Sequence, residues 1–342
     1  MKVVETIHAV GHVLCHDLTQ IIPGEFKGAR FQKGHIVTEE DVPVLLSMGK
    51  EHLYVWEKPE GFLHEDEGAE RLAALCENEH MTRGAAREGK IELFAACDGL
   101  FQVRADALRR VNSLGELMIA TRHGGTPVKR GDKLLGTRVI PLIIDGKKLD
   151  AAARAAGGQP LTALLPYRHK KAGIVVTGSE VEKGLIEDKF TPVVRGKLAE
   201  FGAEIVGETM VGDDPARGTE AILQLIRQGA ELVVCTGGMS VDPDDKTPLA
   251  IKNTGAEIVT YGAPVLPGAM FLLAYYGARH VPVCGLPGCV MYAKRTIFDL
   301  VLPHLMADDP VSADMLAGYG EGGLCLNCPA CTYPNCGFGK GR

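Results

Sequence analysis

The chain lacks any apolar run of the roughly 20 residues that a membrane-spanning helix needs, so no integral membrane segment is expected. It also lacks the charged-then-apolar N-terminal layout of a signal peptide and is expected in the cytoplasm. Basic residues are not in excess: 37 Lys and Arg face 43 Asp and Glu, a formal net charge of −6. Proteins that bind nucleic acid usually carry a basic face, so neither nucleic acid nor a membrane is expected as a partner. No internal repeat and no long low-complexity tract is present. With 342 residues, 46% of them hydrophobic and 23% charged, the chain can bury a full core and has the length of two or three domains.

Ten cysteines then need a reason other than disulfides, because a reducing compartment keeps thiols free. Six are scattered: Cys15, Cys76, Cys97, Cys235, Cys284 and Cys289. Cys235 and Cys284 end apolar runs and read as small buried hydrophobes. The other four, Cys325, Cys328, Cys331 and Cys336, lie together in a glycine-rich tail over 318–342.

From 170 to about 310, strand-like and helix-like patterns alternate. Ala172–Thr177, Ala203–Val211, Glu231–Thr236, Ala256–Tyr261 and His280–Cys284 read as strands. Helices are predicted after Thr191-Pro192, with Thr191 as N-cap and Pro192 at the first helical position, and after Asp213-Asp214-Pro215. A short helix is expected over Asp245–Lys252, and a last helix carries Ala293, Ile297, Leu300 and Val301 on one face. This order predicts an α/β domain with a mostly parallel sheet flanked by helices. Residues 1–150 have short strands, frequent glycines and helical patterns near Glu39–Met48 and Glu67–Cys76. They read as a β-rich α+β region, divided near Pro59-Glu60-Gly61 into modules 1–60 and 61–150. Lys147–Ala156 reads as a connecting helix.

Four loops follow strands and are expected to gather at one edge of the sheet, where open α/β sheets bind ligands. They contain Thr177-Gly178-Ser179-Glu180, Gly212-Asp213-Asp214, Gly237-Gly238 with Ser240, Asp242, Asp244 and Asp245, and Gly285-Leu286-Pro287-Gly288. Glycine-rich turns and helix N-termini offer backbone N–H groups to phosphate, and the acids suit Mg²⁺. The plainer reading is that glycines after strands are turns and that Asp213 and Asp214 cap a helix. Four such loops in one domain favour a ligand site.

Taken together, these segments resemble the molybdopterin-binding domain of molybdenum cofactor biosynthesis, the family of molybdopterin molybdenumtransferases, molybdopterin adenylyltransferases and gephyrin. The matching motifs are Thr177-Gly178-Ser179-Glu180, Ile186-Glu187-Asp188, Val211-Gly212-Asp213-Asp214-Pro215, Thr236-Gly237-Gly238-Met239-Ser240-Val241, Pro267-Gly268 and Leu286-Pro287-Gly288. Val128–Ile144 resembles the stretch leading into this domain in the molybdenumtransferase branch. The resemblance implies a transferase that binds molybdopterin or its adenylate and inserts molybdate with Mg²⁺. It implies Asp188, Asp214 and Asp245 as catalytic acids. Thr177, Gly178, Ser179, Glu180, Gly237, Gly238, Ser240, Asp242, Pro287 and Gly288 are implied as substrate contacts. It also implies a homo-oligomer that serves a molybdoenzyme or its chaperone. The chain departs from the family at Phe190, Leu266, Ala269 and Cys289-Val290, where the transferases have asparagine, two lysines and Asn-Pro. Asp242-Pro243-Asp244-Asp245-Lys246-Thr247-Pro248 is closer to the adenylyltransferase style. An alternative expectation is therefore a non-catalytic molybdopterin-binding or delivery protein.

The tail reads Cys325-x₂-Cys328-x₂-Cys331-x₄-Cys336. Four thiolates at such gaps can wrap one tetrahedral metal or an iron–sulfur cluster, so Zn²⁺ and [4Fe–4S] are both open here. The plainer reading is a flexible tail with free thiols.

Overall fold

The computed structural model describes residues 2–55, 60–185, 187–240 and 245–341. The chain divides into two units: Met1–Cys97 with Val103–Arg122 and Arg130–Leu164, and Leu165–Arg342 with Asp98–Gln102 and His123–Lys129. The expected boundary at Pro59 and the site candidate Asp242 lie outside the described residues, as do Ile186, Val241 and Asp244. Among the described residues, no helix is long and apolar enough to cross a membrane.

The first unit is α+β. Lys2–Glu5 pairs antiparallel with His52–Val55, and Leu18–Ile22 with Phe26–Phe31. These strands enclose a small core of Leu14, Leu18, Phe31, Leu45 and Leu53. A four-stranded antiparallel sheet follows, in the order Met81–Arg83, Lys90–Ala95, Lys133–Val139, Leu117–Thr121. The helices of this unit include Asp41–Ser47, Glu65–Ala74 and Gly146–Ala156. A further helix, Ala105–Asn112, is absent from the sequence reading. It is short, carries Arg109 and Arg110, and buries only Ala107 and Val111, so few apolar residues mark it in the sequence.

The second unit carries the α/β sheet. Its strands are β1 (Lys171–Thr177), β2 (Glu204–Val211), β3 (Leu232–Thr236), β4 (Glu257–Tyr261), β5 (Leu272–Tyr276) and β6 (Val281–Leu286). Their order across the sheet is β2-β1-β3-β6-β5-β4. β1, β3 and β6 are almost wholly buried runs of Val, Ile, Leu, Ala and Cys, as strands covered on both faces must be. Besides a single helical turn over Ser179–Glu182, the helices are α1 (Phe190–Ala199), α2 (Pro215–Arg227), α3 (Thr247–Asn253), α4 (Ile297–Met306) and α5 (Ala313–Gly318). Val194 and Leu198 of α1 and Phe298 and Val301 of α4 pack on one face with Ile174 and Val234. Ile222 and Leu225 of α2 and Ile251 of α3 pack on the other with Val175 and Val233. The chain thus crosses from β1 to β2 on one face and from β2 to β3 on the other.

Three details differ from expectation. The pairings of β1 with β2 and β3, and of β3 with β6, are parallel, but β5 runs antiparallel to both β4 and β6. β5 was not read from the sequence. The turn between β5 and β6 spans Gly277–His280, far shorter than the dozen or more residues a parallel crossover requires. Secondly, Thr191 is the second residue of α1 rather than its N-cap. The capping carboxylate is that of Asp188, whose Oδ1 accepts from the N–H groups of Phe190 and Thr191 at 2.8 and 3.1 Å. Thirdly, α4 begins at Ile297, so Ala293 lies outside it. Thr296 and Asp299 form its capping box.

A buried ion pair joins α1 to α4. The Lys197 ammonium donates to both oxygens of Asp299 at 2.6 and 2.8 Å, and both side chains are more than 90% buried. Asp299 also accepts from Arg295 and from the Thr296 N–H. Removing Lys197 leaves the buried Asp299 carboxylate with Arg295 as its one remaining cation and an unfilled place where the ammonium sat. Lys197→Met is therefore expected to destabilise the fold by about 3–5 kcal/mol in urea denaturation, whereas the exposed Arg195→Ala leaves the midpoint unchanged.

In the first unit, burial and then the neighbouring Asp66 carboxylate push the Glu65 carboxyl up to about 7 from its ordinary 4.5. The folded state then holds a proton that the unfolded chain releases, so stability from this group is present below pH 4.5 and lost as pH rises to about 7. Glu65→Gln is expected to melt above the wild type at pH 8 and to lose that advantage at pH 4, in paired thermal scans.

Candidate functional site

The strand order reverses between β1 and β3, because the chain leaves β1 for β2 on one side and returns to β3 on the other. A crevice is expected at the carboxyl ends of these two strands. Thr177 ends β1 and Thr236 ends β3. The Thr177 hydroxyl donates to the Thr236 carbonyl at 3.2 Å. Its oxygen therefore accepts from the Thr247 hydroxyl, 2.6 Å away at the start of α3.

Gly237 follows with φ +84°, and a β-carbon there would lie 2.0 Å from the Thr177 carbonyl oxygen. Both the left-handed backbone and the missing side chain are required. Gly238 continues the turn, and its carbonyl accepts from the Thr247 N–H at 3.2 Å. Both ends of the segment between β3 and α3 are thereby drawn onto Thr177.

The acids hold this rim by single oxygens. Asp213 Oδ2 accepts from the Ser179 N–H at 2.9 Å, and the Ser179 hydroxyl accepts from the Asp213 N–H at 3.3 Å. Asp214 is the N-cap of α2, with Oδ1 accepting from the Ala216 N–H at 2.8 Å. Asp245 Oδ2 accepts from the Ser240 N–H at 2.7 Å. The loop amides of Ser179 and Ser240 are thus positions that bind an anion, held here by the protein's own carboxylates. Nearby, the Tyr261 hydroxyl donates to the Met239 carbonyl at 3.2 Å, and partial burial with the Asp245 charge pushes its phenol up.

The expected acidic trio is not gathered at one point. Asp214 and Asp245 precede helices on the same face of the sheet, while Asp188 caps α1 on the opposite face. The three carboxylates do not lie within 4.8 Å of one another. The second oxygens of Asp214 and Asp245 have no protein partner among the described residues. This donor set fits Mg²⁺ held by one or two carboxylates with ligand phosphate and water, and does not fit an all-protein cage.

A narrow cleft beside Thr177 is lined by Gly212, Asp214, Gly218, Lys246 and Thr247. Lys246 and Thr247 were quoted in the sequence motif without a role. The signal for them was the Lys-Thr-Pro run, where proline lies in the first turn of a helix and so places both residues at the strand rim. Glu180 is exposed, and Pro287-Gly288 opens a single 3₁₀ turn over Gly288–Met291 at the end of β6. Thr236 leaves its buried hydroxyl without a partner among the described residues. Cys235 and Cys284 are fully buried, and burial pushes the Cys235 thiol up to about 12. They are core residues and not nucleophiles. A 490 Å³ cavity opens at the other end of the sheet, where Lys170 and Asp308 pair with each other.

Gly237→Ala is expected to lower stability by about 1–3 kcal/mol through strain at the positive φ, with further loss from the carbonyl clash. Thermal denaturation measures it, and Gly255→Ala, also at positive φ but with open space around it, should cost less.

Residues 173–307 match a family model described as "Probable molybdopterin binding domain". Residues 3–57 match a model described as a domain of unknown function, DUF8806. The chain is similar to the molybdopterin molybdenumtransferase of Synechococcus elongatus, 28% identical over 196 residues that cover 54% of this chain and 46% of that protein. It is also similar to the CinA-like protein of Mycobacterium tuberculosis, 36% identical over 90 residues that cover 26% of this chain and 21% of that protein. The chain therefore spans less than half the length of these curated relatives. Among solved structures, the tungsten cofactor synthesizing protein MoaB from Pyrococcus furiosus matches at 24% identity and TM-score 0.32, over 40% of this chain and 89% of that one. The protein CinA from Thermoplasma acidophilum matches at 17% identity and TM-score 0.34, over 40% and 98%.

Proposed function

With residues 173–307 a divergent member of the molybdopterin-binding domain family of molybdenum cofactor biosynthesis, we propose that the chain binds molybdopterin or its adenylate at the β1–β3 rim and inserts molybdate in a Mg²⁺-dependent transfer. The observation that carries this reading is the closure of both ends of the β3–α3 segment, Gly237–Gly238 and Thr247, onto Thr177 at the reversal of strand order. Ser179, Ser240 and the Gly237–Gly238 turn contact the phosphate or pterin. Thr177 and Thr247 keep the turn closed behind it. Lys246 supplies positive charge to an anionic ligand, in place of the lysines that Leu266 and Ala269 displace. Asp214 and Asp245 offer their second oxygens to Mg²⁺. When bound, Mg²⁺ neutralises phosphate charge and orients the leaving group. Asp188 and the Pro287–Gly288 turn border the same rim from the α1 side. A cytoplasmic homo-oligomer that hands its product to a molybdoenzyme or its chaperone belongs to the same proposal.

Each acid already spends one oxygen on a loop amide or helix cap, and this favours a second reading, in which the domain holds the pterin for delivery without chemistry. One assay separates the two. Adenylylated molybdopterin and molybdate are supplied anaerobically and AMP is measured. Mg²⁺-dependent release that falls by about 10²-fold or more in Asp245→Asn supports transfer. Saturable binding without AMP release supports delivery, and absence of binding contradicts both.

A further inference from the structure

The tail is built onto the α/β domain rather than trailing from it. The Leu266 N–H donates to the Gly323 carbonyl at 2.9 Å, and the Cys325 N–H donates back to the Leu266 carbonyl at 2.8 Å. Phe338 is buried against the core that holds Leu300. Gly339 has φ +71°, and a β-carbon there would lie 2.4 Å from Leu300 Cδ2. The Tyr333 hydroxyl donates to the Asp299 carbonyl at 2.8 Å, and the Arg295 guanidinium lies 5.1 Å from the centre of its ring.

This docking creates a cavity of 680 Å³ between the tail and the Tyr292–Arg295 turn, and all four tail cysteines line it. Cys325 and Cys336 are half-buried against the core, and Cys328 and Cys331 are exposed. None of the four is in a disulfide. Lys294 and Arg295 also line the cavity. Lys294 is tied to the loop itself, donating to the Pro329 carbonyl at 2.8 Å.

The tail sulfurs are not drawn together as in a closed tetrahedral site. In a tetrahedral zinc site with Zn–S bonds of about 2.3 Å, the sulfurs lie about 3.8 Å apart. No three of the tail sulfurs lie within 4.8 Å of one another. A cubane cluster places each thiolate on a different iron, which demands a wider ring of sulfurs and a larger cavity. The bound cluster with four thiolates is an anion, and Lys294 in the cavity wall has no carboxylate partner among the described residues.

We propose that Cys325, Cys328, Cys331 and Cys336 ligate one [4Fe–4S] cluster in this cavity. The site is independent of the pterin reading, since none of its ligands belongs to the β1–β3 rim. It does place a one-electron centre next to the segment that follows Leu286-Pro287-Gly288, at the end of β6.

The test uses the full chain, purified anaerobically and reconstituted with ferrous iron and sulfide. The expected product is brown, with about four iron and four sulfide per chain and a broad band at about 400 nm that dithionite bleaches. Cys328→Ser with Cys331→Ser should lose the band and most of the iron while far-UV circular dichroism and the melting temperature hold, because both side chains are exposed. Zinc at one per chain with no iron, a two-iron product, or a chain that takes up no metal overturns the assignment. So does iron that persists unchanged in the double variant. AMP release in the assay above is read separately, so failure of the cluster and failure of the pterin reading are distinct results.

Discussion

The approach of Gly237 to the Thr177 carbonyl is the constraint on which the rest of the rim depends. Two adjacent parallel strands end at nearly the same height, and the chain leaving β3 must turn at once over the end of β1. Only a residue without a β-carbon passes at that distance. Once it has passed, Gly238 meets the start of α3, and the Thr177 and Thr247 hydroxyls close on each other. A buried hydroxyl pair of this kind is costly to leave half-satisfied, so the end of β1 and both ends of the β3–α3 segment hold one arrangement. The carboxylates of Asp213 and Asp245 then complete the rim by occupying loop amides.

The two faces of the sheet divide the labour. The α2–α3 face carries Asp214, Asp245 and Lys246 beside the crevice. The α1–α4 face carries a stronger scaffold, the saturated Asp299 with Lys197 and Arg295, and the tail is strapped to it through Tyr333, Phe338 and Gly339. Arg295 serves both, bonding Asp299 while its guanidinium lies over Tyr333 at the wall of the cysteine-lined cavity. The structural core of the domain and the floor of the tail cavity are therefore one packed unit.

Much of this was legible in the residues. The buried parallel strands announce themselves as continuous apolar runs, and Asp-Asp-Pro marked the start of α2 by its capping chemistry. The motif order placed the glycine-rich loops directly after the strands that end at Thr177, Thr236 and Leu286. What stayed hidden has physical causes. β5 follows a glycine and proline segment and pairs antiparallel, a choice made by neighbours and loop length and not by its own pattern. Thr191-Pro192 looked like a helix start because both residue types are common there, yet the Asp188 carboxylate takes the amides of Phe190 and Thr191 and the helix begins at Phe190. The convergence of three acids on one point was inferred from their shared position after strands. Crossovers on opposite faces separate Asp188 from Asp214 and Asp245, and no sequence spacing encodes that. The tail cysteines were visible as a ligand run, but their docking on Leu300 depends on Gly339, whose role appears only when the tail is folded.

The most direct measurement is hydrogen exchange of the full chain, read by mass spectrometry during an anaerobic titration with molybdopterin. The account predicts saturation at one ligand per chain, with protection concentrated in peptides containing Ser179, Gly237–Ser240 and Asp245–Thr247. Protection confined to the opposite end of the sheet, around Lys170 and Asp308, or no protection at saturating ligand, contradicts it.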